Sequence, residues 1–106
     1  MNTLLTTEQS ANFKRYKSGN VRWYLDANEY QHFQELLMAF SLNYDLFLKH
    51  PLQIATIKQV FKTKFTDIFT PKSIKLTEAE AIAIAWFFEQ TENHFLSIEL
   101  KMLLRL

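Results

Sequence analysis

Glu29-x-x-His32 sets a carboxylate and an imidazole one helical turn apart, the spacing by which helical bundles present ligands to a pair of iron or manganese ions. Such a centre takes a second Glu-x-x-His and two further inward glutamates, and the chain has no second Glu-x-x-His. Glu29 also has a competing role. It stands three residues after Asp26, as the reciprocal partner in a capping box. His32 then falls on the flank of an apolar stripe, an ordinary place for a histidine at a core edge, and no metal site is expected. His50 precedes Pro51 and reads as a cap or turn residue; His94 follows Glu92 and Asn93 at a helix junction. Nothing in the spacing puts a base and its orienting acid beside a nucleophile. The absence of cysteine removes thiolate ligands, disulfides and a cysteine nucleophile. A single glycine rules out a glycine-rich phosphate loop. The sequence therefore offers no catalytic residue and no cofactor motif, and an enzyme is the least favoured class.

The cations are the next candidates. Residues 14–22 hold Lys14, Arg15, Lys17 and Arg22 without an acid, and a later helix carries Lys58, Lys62 and Lys64 near Gln59, Thr63 and Thr66. These types contact phosphates, so a nucleic-acid-binding regulator is the alternative reading. The helical wheel weakens it. Lys58 and Lys62 border one side of an apolar stripe and Lys64 the other, as lysines do when their stems cover a core edge. The net charge of +1 is distributed in alternating blocks. Residues 26–45 are acidic, residues 49–75 carry six lysines against Asp67, and residues 78–99 carry five glutamates with no Lys or Arg. That pattern could pair basic with acidic segments within one fold or across a dimer. It is unlike the one-signed surface of a dedicated nucleic-acid binder.

Composition bounds the elements that must position any of these groups. At 106 residues, 48% hydrophobic and 15% aromatic with ten Phe, the chain is expected to form one domain, 1–106, with a real core. One Gly and two Pro fit helices joined by short connections. The N-terminus lacks the charged and apolar regions of a secretion signal. No run of 18 apolar residues occurs, and the expectation is a cytoplasmic protein without a membrane segment.

The central stretch is 75–89. Thr77 and Glu80 have capping-box spacing, and residues 81–88 contain no polar side chain. On a wheel Ile82 and Trp86 point one way, and Ile84, Phe87 and Phe88 the other, so this helix must be covered on both sides. Upstream, Thr6 or Thr7 would cap a first helix running to about Ser18 with Leu5 as its staple, and Gly19 would supply the positive φ of its C′ position. Val21 to Leu25 alternates like a strand. Asp26 caps a helix to about Asn43 with the stripe Tyr30, Phe33, Leu36, Leu37, Phe40. Tyr44 to Lys49 is a short helical piece with Phe47 and Leu48 inward. Pro51 opens a helix to about Phe69 with Ile54, Ile57, Phe61, Phe65 and Ile68 on one face. Thr70-Pro71-Lys72 turns into a second short strand, 73–76, and a last helix covers Phe95 to Arg105. The fold class is mainly α, a small bundle of about five helices. Residues 21–25 and 73–76 are the candidates for a short two-stranded β ribbon.

Trp23-x-Leu25-Asp26-x-x-Glu29 and Ile74-x-Leu76-Thr77-x-x-Glu80 match at an offset of 51 residues, as would a duplicated strand–helix–helix unit. Any two capped amphipathic helices align about as well, and that plainer reading is preferred. The last helix splits into two apolar faces, Ile98, Met102 and Arg105 on one and Leu96, Leu100, Leu103 and Leu104 on the other. Together with 78–89 it carries more apolar surface than a five-helix monomer readily covers. The expected function is a protein-interaction module, a homodimer or a binder of a protein partner, working through Trp86, Phe87, Ile98, Met102 and Leu103.

Overall fold

The structure, a computed structural model, describes residues 8–66 and 73–106. Among them are four strands and five helices. The strands β1 (Glu8–Gln9), β2 (Phe13–Arg15), β3 (Val21–Tyr24) and β4 (Ser73–Leu76) form one antiparallel sheet in the order β1-β2-β3-β4. The helices are α1 (Ala27–Ser41), α2 (Tyr44–Lys49), α3 (Pro51–Lys64), α4 (Glu78–Gln90) and α5 (His94–Leu104). Mainly α with a short strand ribbon is the observed class. The two ribbon strands pair as β3 and β4, and β1–β2 extends them. Thr6, Thr7, Leu5, Ile68 and the turn 70–72 lie outside the described residues.

The helix expected up to Ser18 is a correction: its described part is a β-hairpin. Its apolar content (Ala11, Phe13, Tyr16) is too thin for a helical stripe, whereas period-two alternation sends Phe13 inward, fully buried. Gly19 has the expected positive φ, 92°, for a different purpose. Tyr16 N–H donates to the Asn20 carbonyl at 3.0 Å and Gly19 N–H to the Tyr16 carbonyl at 2.9 Å, closing a tight hairpin loop that needs a left-handed residue near its end. Helix C′ and hairpin bulge make the same demand on a glycine, so the residue alone does not separate them.

Both capping boxes form. Asp26 Oδ1 accepts from Glu29 N–H and Glu29 Oε1 from Asp26 N–H, at 2.8 and 3.1 Å. Thr77 Oγ1 accepts from Glu80 N–H and Glu80 Oε1 from Thr77 N–H, at 3.2 and 2.8 Å. The sheet register sets Trp23 opposite Ile74, the two residues that the 51-residue offset equates, so the two strands, each leading into its own capped helix, pair about a local two-fold. The likeness stops beyond those helices: α5 packs on α4, but α2 packs on α3.

The core lies between the sheet and the helices. Trp23 is its hub, with ring centroids of Phe33, Phe88 and Phe65 at 5.1, 5.2 and 5.8 Å and Phe13 stacked at 6.1 Å. Burying a ring of this size is worth about 1.5–3 kcal/mol against about 1 kcal/mol for a cap, so packing sets the fold and the caps set where helices begin. α4 is covered by α3, α5 and β4, with Ala81, Ile84, Ala85, Phe87 and Phe88 buried, as its apolar circumference requires. Ile82 alone among its large apolar side chains stays exposed. Among the described residues no helix is long and apolar enough to cross a membrane.

Candidate interaction surface

Of the expected partner-binding residues, the structure brings Ile98 and Met102 together on the outer face of α5 and turns others inward. Phe87 and Leu103 are buried, because α4 and α5 press those faces against the core. Trp86 is half-buried, with the rings of His50 at 5.0 Å and Phe40 at 6.1 Å. α5 divides as its wheel implies, with Leu100, Leu103 and Leu104 inward. Facing out are Phe95 at 90%, Ile98 at 57% and Met102 at 71% exposure. Their spacing, i, i+3, i+7, is that of a helix–helix seam. Phe95 completes the stripe and was legible as an aromatic at the start of the last helix; its direction was not.

α5 is held in place by Glu99. Its Oε2 accepts from Ser10 Oγ–H at 2.6 Å and Asn12 N–H at 2.7 Å, and its Oε1 from Asn12 Nδ2–H at 2.9 Å. Burial raises the pKa of the Glu99 carboxyl, but these hydrogen bonds outweigh it and hold the group below the ordinary glutamate range. Ser97 adds a buried hydrogen bond from its hydroxyl to the Ala85 carbonyl, 3.1 Å. At the exposed surface, the hydrogen bond and charge of Lys101 lower the pKa of Glu89. The stripe therefore sits on a helix fixed at several points along its inner side.

A second apolar surface surrounds α2, and here the expectation is corrected. Phe47 and Leu48 were expected inward, yet α2 has no buried residue; they are 45% and 60% exposed. The physical reason is length. Two turns between Asn43, which caps α2, and Pro51, which opens α3, cannot turn a full stripe to the core while α3 occupies it with Ile54, Ile57 and Val60. A recess of about 430 Å³ opens beside α2, lined by Leu42, Tyr44, Phe47, Ile54 and Lys58 among others.

The cations do not assemble as one patch. Arg15 turns to the core side, donating to Glu78 Oε2 at 2.8 Å and to the Leu103 carbonyl at 2.9 Å. Lys58, Lys62 and Lys64 belong to α3 in the helical layer, and Lys17 is exposed in the hairpin loop. Lys14 and Arg22 lie opposite each other on β2 and β3, and Lys75 lies opposite Arg22 on β4. Glu29 is engaged in its cap, His32 lies on the surface with its ring edge-on to Phe33, and among the described residues no three His, Asp or Glu side chains converge.

Comparison with protein-family models, with curated proteins and with solved structures finds no match.

Proposed function

We propose that this chain is a non-enzymatic protein-interaction module that self-associates through the outer face of α5. The observation that carries the reading is the seam Phe95–Ile98–Met102. A bare aromatic side chain offers on the order of 150–250 Å² and an aliphatic one somewhat less, so at their exposures these three present roughly 400 Å² per protomer. An ordinary stable interface buries about 800 Å² per partner, of which about 57% is apolar. The seam supplies most of that apolar share, and the polar positions around it supply the rim. The occupant proposed is a second copy, since one face meeting itself about a two-fold axis needs no other partner. A cytoplasmic location belongs to the same proposal.

Analytical ultracentrifugation over a range of concentrations tests it. The wild-type chain is expected to sediment as a dimer and Ile98→Glu/Met102→Glu as a folded monomer of 12.6 kDa, with circular dichroism unchanged because both side chains face solvent. A wild-type chain that stays monomeric at the highest concentration overturns the reading.

A further inference from the structure

The face of the sheet turned away from the helices carries a row of cations. Lys14, Arg22 and Lys75 are directly opposite one another on three adjacent strands, so their side chains leave the same face. Gln9 continues the row on β1. Two residues along from Lys14 is Tyr16, whose ring lies 5.7 Å from the Lys14 ammonium. Two residues along from Arg22 is Tyr24. β2 and β3 run antiparallel, so the tyrosines fall on opposite sides of the cation row, each about 7 Å from it at the strand rise per residue. Arg22 donates to Ser73 Oγ at 2.9 Å. No acidic side chain lies within ion-pair distance of Lys14, Arg22 or Lys75 among the described residues.

Like charges directly opposite on neighbouring strands destabilise a sheet. Three in line with no acid between them make a surface that gains from an anion laid across it. We infer that this face binds single-stranded nucleic acid, with phosphates along Lys14–Arg22–Lys75 and bases against Tyr16 and Tyr24. The aromatic–cation–aromatic order points to nucleic acid over other polyanions, because a base has a flat face to stack and an acidic peptide does not. The strand is single because a duplex groove admits a helix or a two-stranded ribbon, whereas splayed bases can lie on a flat sheet. A lipid surface is disfavoured: none of Gln9, Lys14, Tyr16, Arg22, Tyr24 and Lys75 is an aliphatic side chain that would enter acyl chains. The inference does not rest on the α5 seam, which occupies another face.

Fluorescence anisotropy of the full chain with labelled oligo-dT and oligo-U at low salt reads the binding. A duplex of equal length, heparin and anionic phosphatidylserine vesicles serve as competitors. Wild type should bind both single strands, with affinity falling as salt rises at a log–log slope of about −2 for three phosphates. Arg22→Gln/Lys75→Gln should lose more than tenfold. Tyr24→Leu keeps the charge and should weaken the single strands about tenfold while leaving competition by heparin unchanged, a result that plain cation exchange does not give. Circular dichroism confirms that each variant is folded, and Lys58→Gln/Lys62→Gln should bind as wild type. The inference is overturned by absence of binding at low salt, by equal preference for duplex or vesicles, or by a Tyr24→Leu variant that binds like wild type.

Discussion

Glu99 shows how one side chain can fix a helix without belonging to the hydrophobic core. It takes three hydrogen bonds from Ser10 and Asn12, joining α5 to the connection between β1 and β2 across most of the chain's length. Because its carboxyl is held below the ordinary glutamate range, the folded state releases that proton more readily than the unfolded chain. Its contribution to stability is therefore fully present above the unfolded value near 4.5 and is lost as pH falls from there through the depressed folded value. Glu99→Gln keeps the size and removes the charge. The variant should unfold at lower urea than wild type at neutral pH, with the gap closing in acid as wild-type Glu99 protonates. Urea midpoints at the two pH values check this, and a gap that stays constant would mean that the charge of Glu99 is irrelevant. Glu89→Gln is the control. Glu89 is also shifted downward by its lysine, but at the surface such a pair contributes little, and the variant should track wild type throughout.

At the scale of elements, what could be read in the sequence depended on whether a local rule had one structural outcome or two. Asp26 with Glu29 and Thr77 with Glu80 have one, and both helix starts fall where those residues put them. The strands 21–24 and 73–76 were legible from alternation, but their pairing was not, since partners 51 residues apart meet only through the sheet register that sets Trp23 opposite Ile74. Gly19 has two outcomes, because its positive φ serves a helix end and a hairpin loop alike, so the residue does not tell the hairpin from a helix. Phe47 and Leu48 illustrate another limit: apolar type says that a side chain prefers burial, not that the neighbouring α3 leaves room for it. The cation row was illegible for a related reason. Lys14, Arg22 and Lys75 become neighbours only through strand register, and Lys75 stands 53 residues from Arg22 in sequence. The two caps also differ in surroundings. Asp26 and Thr77 are both exposed, but Glu80 in the second box is almost enclosed whereas Glu29 in the first is only half-buried. Asp26→Ala should cost about 1 kcal/mol and Thr77→Ala nearer 2 kcal/mol, since the Glu80 N–H would lose its partner in a part-buried site that water satisfies less well than an exposed one. Denaturant titration of the two variants decides it, and an equal or reversed order would mean that burial around α4 does not strengthen its cap.

For the whole molecule, the proposed self-association through α5 can be set against pairing through the surface around α2. Among the described residues the fold leaves apolar side chains exposed on the α5 seam and, in larger number, around α2, where Leu42, Tyr44, Phe47, Leu48 and Leu52 face solvent, because the sheet and α4 have filled the core with other residues. If folded monomers pair through α5, association stabilises the folded state by mass action, and the melting temperature must rise with protein concentration. Each tenfold increase adds about 0.7 kcal/mol per protomer once the dimer predominates, which for a domain of this size is a shift of about 3–5 °C. Ile98→Glu/Met102→Glu should abolish that dependence while leaving the low-concentration melting temperature close to the wild-type limit, since neither side chain packs in the core. Phe47→Glu should keep the dependence intact. Differential scanning calorimetry over a concentration series separates the surfaces: loss of the concentration effect on Phe47→Glu, with its retention in the α5 variant, would move the interface to α2. The rigid support beneath α5 favours the first outcome. Glu99 and Ser97 order its inner side in the monomer, so pairing through Phe95, Ile98 and Met102 freezes fewer degrees of freedom than closing over α2, which has no buried residue to hold it.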